Sequence, residues 1–289
     1  MPTAELWRES EIKGKYIASS KKFCAIIGNL KKETTRMNAM SILSTAITIV
    51  FLGFLYWRMV KREIPQPVGW LQALLPIGIG MLSHPLTIPF SSGYLKALAA
   101  NPNALKLTEL NFIQSLWRAF IVAGGLEEVS KLIVILVILF IFRNKVKNVY
   151  EYILIGACVG IGFSLIEEFT YGGAENANIF STMGRMIAVP AHMTFNMVMA
   201  EFLGRAKFNK LNGKGSVVLN YVLALLVPIV VHTLYDVCTA FNSSLMRGEL
   251  SGIIRAMIAY VVMLVYEFIV LVRCKKKTEL FCGMSTLAE

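Results

Sequence analysis

The sequence predicts an all-α fold, a polytopic bundle of transmembrane helices that crosses the bilayer about seven times. Three observations predict this class. The 289 residues are 56% hydrophobic, and their mean hydropathy is +0.61. Only 16% of the residues are charged, compared with about 25% in a typical soluble domain. Apolar stretches of about 20 residues, the length that spans a bilayer, recur along the chain.

These apolar stretches divide the chain into three parts. Residues 1–37 form a basic segment that is expected to be amphipathic or loosely ordered, residues 38–273 form the membrane domain, and residues 274–289 form a basic tail. The predicted crossings are 39–57, 68–90, 112–142, 149–171, 179–203, 217–237 and 252–272. Three prolines interrupt the second crossing, which is therefore expected to kink or to re-enter the membrane. Six to eight crossings are compatible with the pattern.

The net charge of +11 comes from lysines and arginines that lie mainly in short connections and tails. This distribution is typical of a cytoplasmic membrane face and predicts contact with anionic lipid, not with nucleic acid. With seven crossings, the basic groups of 143–147, 205–214 and 273–277 share one side. We therefore predict a multi-pass protein of the cell membrane with a cytoplasmic C-terminus. Seven crossings would also place the basic N-terminal segment on the outer side of the membrane, which the preference of basic residues for the cytoplasmic side disfavours. The sequence therefore leaves the number of crossings open.

The cysteines carry no recognisable metal or disulfide pattern. There are five, at Cys24, Cys158, Cys238, Cys274 and Cys282, and no two form a CxxC pair. The sequence therefore predicts neither a disulfide framework nor a zinc ribbon.

Polar residues recur at a spacing of four within the predicted crossings. The pairs are Glu127 with Lys131, Glu167 with Tyr171, His192 with Asn196, and His232 with Asp236. Residues four apart share a helix face, and in lipid a polar face turns toward other polar groups or a water-filled cavity. The chain has only three histidines, and two of them lie in these pairs. The sequence therefore predicts a polar site inside the bundle.

The residue types of this site indicate chemistry. Six charges in these segments would together cost up to about 15–20 kcal/mol at the bilayer midplane, so they are expected to pair, to face water or to react. They are Glu127, Glu128, Lys131, Glu167, Glu168 and Asp236. A carboxylate in such a site can act as a general base, and a histidine can donate to developing negative charge or bind a metal. Two histidines and a glutamate also match a catalytic zinc site.

Two glycines of the fourth crossing, Gly156 and Gly160, have the spacing that lets transmembrane helices approach closely. We expect them to pack against a neighbouring helix. The alternative is that they leave room for an extended segment of substrate.

The order of these motifs resembles that of the PrsW family of intramembrane proteases. The matching motifs are Glu127-Glu128-x-x-Lys131, Phe163-x-x-x-Glu167, His192, and His232-x-x-x-Asp236. The resemblance extends over about 68–272 and leaves the N-terminal 66 residues outside. The family is related to the CAAX-prenyl and bacteriocin-processing proteases. In those relatives a histidine stands where this chain has Glu167, which favours the PrsW branch.

The resemblance implies an intramembrane endopeptidase that cleaves a membrane-embedded or membrane-tethered protein, such as an anti-sigma factor. It implies that Glu127 activates the attacking water, while Glu128 and Lys131 position it or balance charge. It also implies a metal or carbonyl site, which would be formed by Glu167, His192 and His232, with Asp236 orienting the last histidine. Zinc-dependent and metal-independent chemistry both stay open.

Two other functions are compatible with the residues alone. Membrane carboxylates and histidines also form proton relays, which would make the protein a proton- or cation-coupled transporter. Transporters usually contain internal repeats with matching broken helices, and the sequence has no evident repeat. A non-catalytic scaffold, in which the polar network only fixes helix packing, is the third hypothesis.

Overall fold

The computed structural model describes residues 39–101, 104–171 and 179–287. Within these ranges every regular element is helical, apart from one isolated bridge between Asn148 and Ser285. The all-α prediction is therefore confirmed. The predicted N-terminal segment, 1–37, lies outside the described residues.

Eleven α-helices follow one another along the described chain. They are α1 (Ala39–Val60), α2 (Trp70–Gly80), α3 (Ser83–Ala99), α4 (Phe112–Ala119), α5 (Leu126–Ile141), α6 (Val149–Tyr171), α7 (Ile179–Asn212), α8 (Val217–Cys238), α9 (Ser243–Met246), α10 (Leu250–Lys276) and α11 (Thr278–Gly283). A 3₁₀ turn at Leu107–Glu109 precedes α4, and a π-helical segment at Phe120–Gly125 joins α4 to α5.

Five of the described helical stretches are long and apolar enough to cross a membrane. They are Trp70–Leu98, Val149–Thr170, Gly184–Asn212, Val217–Met246 and Leu250–Lys276. The two remaining predicted crossings, at 39–57 and 112–142, are also helical, the first in α1 and the second in α4, the π segment and α5. The number of crossings stays a prediction.

The second predicted crossing is broken, as expected from its prolines. Helix α2 ends at Gly80, and α3 begins at Ser83 after a short turn. Pro76 lies inside α2 and Pro89 inside α3. Pro85, in the first turn of α3, has no N–H to donate to the carbonyl four residues before it, so the helical hydrogen bonds cannot continue unbroken across the junction.

Helices α6 and α7 form the most extensive helix pair and position the centre of the bundle. Their backbones meet at two glycines of α6. A Cβ atom on Gly160 would overlap the carbonyl group of His192, and one on Gly156 would overlap that of Asn196. The predicted close packing is therefore confirmed at both glycines, and it places the His192 turn of α7 directly against α6.

The C-terminal tail is folded. Helix α10 continues to Lys276, and the short helix α11 then turns back toward the start of α6. Phe281 of α11 is fully buried. The Val149 N–H donates to the Met284 carbonyl at 3.1 Å, and the Thr286 N–H donates to the Lys147 carbonyl at 2.8 Å. The residues predicted as a basic tail therefore close one end of the bundle.

Candidate active site

The paired carboxylates lie directly after the π-helical segment. A π-helix inserts an extra residue into a helical turn, and such bulges are frequent at functional sites. Here the segment ends at Gly125, and Glu127 and Glu128 occupy the first turn of α5. Helix α8 passes so closely that a Cβ on Gly124 would overlap the Thr233 side chain. The glycine therefore lets the carboxylates approach the part of α8 that carries His232.

Lys131 is the cation at the centre of the site. Its side chain is fully buried. Its Nζ lies 2.8 Å from Oε1 of Glu128, 3.3 Å from Oε2 of Glu127 and 3.1 Å from Nδ1 of His192. The same ammonium lies 3.7 Å from the ring centroid of Phe163, where the electron-rich face adds a favourable contact. Three helices thus contribute to the solvation of one buried charge.

The partners of His192 fix its tautomer. An ammonium group has only donors, so Nδ1 of His192 accepts a hydrogen bond from Lys131. The ring proton is then on Nε2, which lies 2.8 Å from Oε2 of Glu167 and donates to it. The predicted pairing of His192 with Asn196 is made through the backbone, because Asn196 Nδ2 donates to the His192 carbonyl at 2.8 Å.

His232 is oriented by Glu128. Its Nδ1 lies 2.8 Å from Oε1 of Glu128, and because a carboxylate only accepts, Nδ1 carries the proton. Its Nε2 then faces Oδ2 of Asp236 at 3.7 Å and Oε2 of Glu127 at 4.0 Å. Asp236 was expected to orient this histidine. It lies on the Nε2 side of the ring beyond hydrogen-bonding distance, whereas Glu128 of α5 contacts Nδ1.

Three carboxylates mark the accessible side of the site. The side chains of Glu127, Glu167 and Asp236 are 19%, 17% and 14% exposed, whereas those of Glu128 and Lys131 are fully buried. The predicted site residues on α5, α6, α7 and α8 are therefore brought together. Within the site, Glu128 and Lys131 form its closed floor and the other three acids its open rim.

One group of described residues has the donors that a metal ion would use. Ligand atoms of Glu127, His192 and His232 lie within 4.8 Å of one another. Two histidines and a glutamate are a donor set of catalytic zinc, which binds ligands at about 2.0–2.2 Å, so the residues fit zinc in kind. His192 would have to exchange one of its present partners. The metal site predicted from the sequence contained Glu167. In the structure Glu167 hydrogen-bonds to His192. The group of possible metal ligands contains Glu127 in its place.

A further ion pair beside the site was not predicted. Arg185 of α7 lies 2.7 Å from Oε1 of Glu168 and donates to the Glu167 carbonyl at 3.4 Å, so it joins the last turns of α6 to α7. The signal was present in the sequence, because Arg185 is a charge inside a predicted crossing. The ring centroid of the third histidine, His84, lies 5.3 Å from that of Phe163.

Comparisons with known proteins identify the family. A sequence profile described as PrsW family intramembrane metalloprotease matches residues 66–271. Protease PrsW of Halalkalibacterium halodurans is 30% identical over 206 residues, which are 68% of this chain and 82% of the relative. Protease PrsW of Oceanobacillus iheyensis is 24% identical over 199 residues, which are 68% and 82%. Protease PrsW of Bacillus subtilis is 27% identical over 133 residues, which are 45% and 57%.

No solved structure matches the chain. The profile covers well over half of the sequence, and its limits agree with the predicted extent of the resemblance. The apolar helices make the chain an integral membrane protein, and the relatives make it a peptidase. The chain therefore belongs to the PrsW family of intramembrane proteases.

Proposed function

We propose that this peptidase hydrolyses a peptide bond of a membrane-tethered protein, and that Glu127 is the general base that activates the attacking water. The observation that carries the proposal is the difference between the two adjacent carboxylates. Glu128 is fully buried between Lys131 and His232, whereas Glu127 is anchored by Lys131 on one side and open on the other. A general base must reach its water within hydrogen-bonding distance, and Glu127 can.

His232 is the partner of Glu127 in this proposal. The 4.0 Å between Nε2 and Glu127 Oε2 is too long for a hydrogen bond, so the two groups are not satisfied by each other. A water placed between them would contact both. With Glu128 holding the proton on Nδ1, Nε2 is directed toward this position.

His192 and Glu167 form the second half of the site. The Nε2–H of His192 points toward the accessible side, where it hydrogen-bonds to Glu167. The Nε2–H can instead donate to the oxygen that becomes negative during peptide hydrolysis, while Glu167 moves away. The proton that Glu127 takes from the water then passes to the leaving amine. In the zinc-dependent alternative, Glu127, His192 and His232 would hold the ion, and the bound metal would supply carbonyl polarisation and a more acidic water; Glu127 would then be a ligand and not the general base.

The substrate class follows from where the site lies. The rim residues belong to membrane helices, so a peptide bond that reaches them is within or beside the bilayer. The resemblance suggests regulators such as anti-sigma factors as substrates, and the placement in the cell membrane with a cytoplasmic C-terminus follows from the basic connections. We propose both the substrate class and this placement in the membrane.

The test compares wild type with Glu127→Gln, expressed at equal levels in the same membranes, by mass spectrometry of membrane-protein fragments. Glu279→Gln makes the same change at an exposed position and is the control. We expect fragments that depend on Glu127 and persist in Glu279→Gln. Loss of a general base lowers the rate about 10²–10⁴-fold, which removes them from view.

Identical fragments from wild type and a folded Glu127→Gln variant would overturn the role of Glu127. In that case ion flux in proteoliposomes would test the transporter hypothesis. Addition of a chelator to an active membrane preparation separates the two chemical classes, because a zinc-dependent site loses activity and regains it with added Zn²⁺.

A further inference from the structure

Glu128 has an unused oxygen on the side away from its known partners. Both Lys131 and His232 contact Oε1, whereas Oε2 is buried and has no hydrogen-bond partner among the described residues. A buried polar atom without a partner costs about 1–3 kcal/mol, and native proteins usually satisfy such atoms. The oxygen is therefore expected to contact a group that is neither Lys131 nor His232.

Tyr266 of α10 is the neighbouring donor. Its hydroxyl is also buried without a hydrogen-bond partner among the described residues. Its ring centroid lies 5.8 Å from that of Phe195, which in turn lies 5.2 Å from that of His232. Because His232 is bonded to Glu128, this chain of contacts brings α10, a fifth helix, to the site behind the histidine that Glu128 orients.

Two more unpartnered atoms accompany this pair. They are Oγ1 of Thr233, the residue after His232, and Oδ1 of Asn196, one turn after His192. Buried waters typically lie where several unsatisfied polar groups converge, and each makes about three hydrogen bonds. A buried water beside Glu128 would supply the kind of partner that these atoms lack.

We propose that Tyr266 is a positioning residue for the proposed peptidase reaction. Its hydroxyl donates to one buried water, and that water donates to Oε2 of Glu128. The link holds the Glu128 carboxylate so that Oε1 stays on Nδ1 of His232, and through that contact it fixes the direction of Nε2. Tyr266 acts on the reaction only through Glu128 and His232 and does not touch the substrate.

The positioning role requires the hydroxyl of Tyr266, whereas ordinary packing requires only its ring. The ring of Tyr266 alone suffices to fill the space beside Phe195, and a phenylalanine would do the same. Removal of an unpartnered buried hydroxyl would not lower stability, whereas removal of one that holds a water and a carboxylate would alter the site.

Tyr266→Phe is therefore compared with Tyr150→Phe. The Tyr150 hydroxyl donates to the Met59 carbonyl at 2.9 Å. Its removal costs a hydrogen bond at the start of α6, about 25 Å along the helix from Glu167. Both variants are purified as the full chain and assayed on the substrate that the Glu127 comparison identifies. We expect Tyr266→Phe to lower kcat about tenfold with KM unchanged, and Tyr150→Phe to lower only the melting temperature.

The second readout needs no activity. A high-resolution structure of the wild-type protein should show density for a water between Tyr266 and Oε2 of Glu128, and the Tyr266→Phe structure should lack it. An unchanged kcat in Tyr266→Phe overturns the proposal, and so does a dry gap in the wild type. If no fragment depends on Glu127, the proposed function itself fails, and the water density still decides whether the link exists.

Discussion

Helix α7 carries two buried charge clusters, at His192 and at Glu201, and they are satisfied in different ways. Glu201 accepts from Arg273 at 2.5 Å with both of its oxygens and from Arg205 at 2.7 Å. Both guanidinium groups also lie beside the ring of Phe281. At His192 the bonds join α5, α6 and α7, the Glu128–His232 bond adds α8, and the rim carboxylates keep an accessible side. The Glu201 cluster is closed, whereas the site is open.

The two clusters differ in how completely the carboxylate oxygens are occupied, and this separates a structural ion pair from a reactive one. A carboxylate with both oxygens held by guanidinium groups has no remaining capacity to bind a water or a substrate. Glu127 has one partner at 3.3 Å and an incomplete contact with His232 at 4.0 Å. Charge in a membrane helix is therefore not sufficient evidence of function. The number of hydrogen-bonding positions of the carboxylate that remain without a partner is more informative.

The largest expected difference in stability comes from removing one cation from each of the two clusters. Lys131→Met would leave the buried Glu128 carboxylate with His232 alone and would remove the ion pair of Glu127, which costs about 3–5 kcal/mol and abolishes proteolysis. Arg273→Met would leave Glu201 with Arg205, and because Arg273 is 37% exposed the loss is about 1 kcal/mol. Thermal unfolding in detergent and fragment production measure both. Equal loss of stability in the two variants would contradict the distinction between closed and open clusters.

The second effect concerns which carboxylate orients His232. Glu128 contacts Nδ1 at 2.8 Å, whereas Asp236 lies 3.7 Å from Nε2. Loss of an orienting partner typically costs 10- to 100-fold in activity, so we expect Glu128→Gln to lower kcat by about this factor. Asp236→Asn is expected to have a smaller effect, below about tenfold. The reverse order in kcat would return the orienting role to Asp236.

The smallest effect concerns a carboxylate outside the membrane segments. Glu63 follows α1 and accepts from the Val68 N–H at 2.6 Å. Its burial, together with a hydrogen bond to Glu151, raises the pKa of Glu63 to about 8. The folded protein therefore keeps this proton at pH values where the unfolded chain loses it. Stability that is present below the ordinary carboxyl pKa is lost as the pH rises toward 8.

Glu63→Gln keeps the hydrogen-bonding shape without the titration. We expect the wild-type melting temperature to fall by a few degrees between about pH 5 and 8, and the variant to show a flatter profile. Glu279→Gln, at an exposed position, should follow the wild type. Parallel profiles for wild type and Glu63→Gln would show that another group carries the dependence.

The sequence predicted the class of fold and the membership of the site for physical reasons. Twenty-residue apolar stretches have few stable forms other than membrane helices, because bilayer lipid cannot satisfy a free backbone. Charged residues in those stretches must turn inward, which is why Glu127, Lys131, His192 and His232 could be grouped without coordinates. The spacing of four also predicted the contact between Glu127 and Lys131.

The hydrogen-bond and ion-pair partners that the site residues have on other helices depend on how the helices cross and could not be predicted from the sequence. Spacing along one helix suggested Asp236 as the partner of His232, but helices α5 and α8 cross so that Glu128 takes Nδ1. The π-helical turn, the Arg185–Glu168 pair and the approach of Tyr266 likewise depend on how helices meet. Sequence periodicity determines the face that a residue occupies, whereas the crossing of two helices determines which atoms lie within hydrogen-bonding distance.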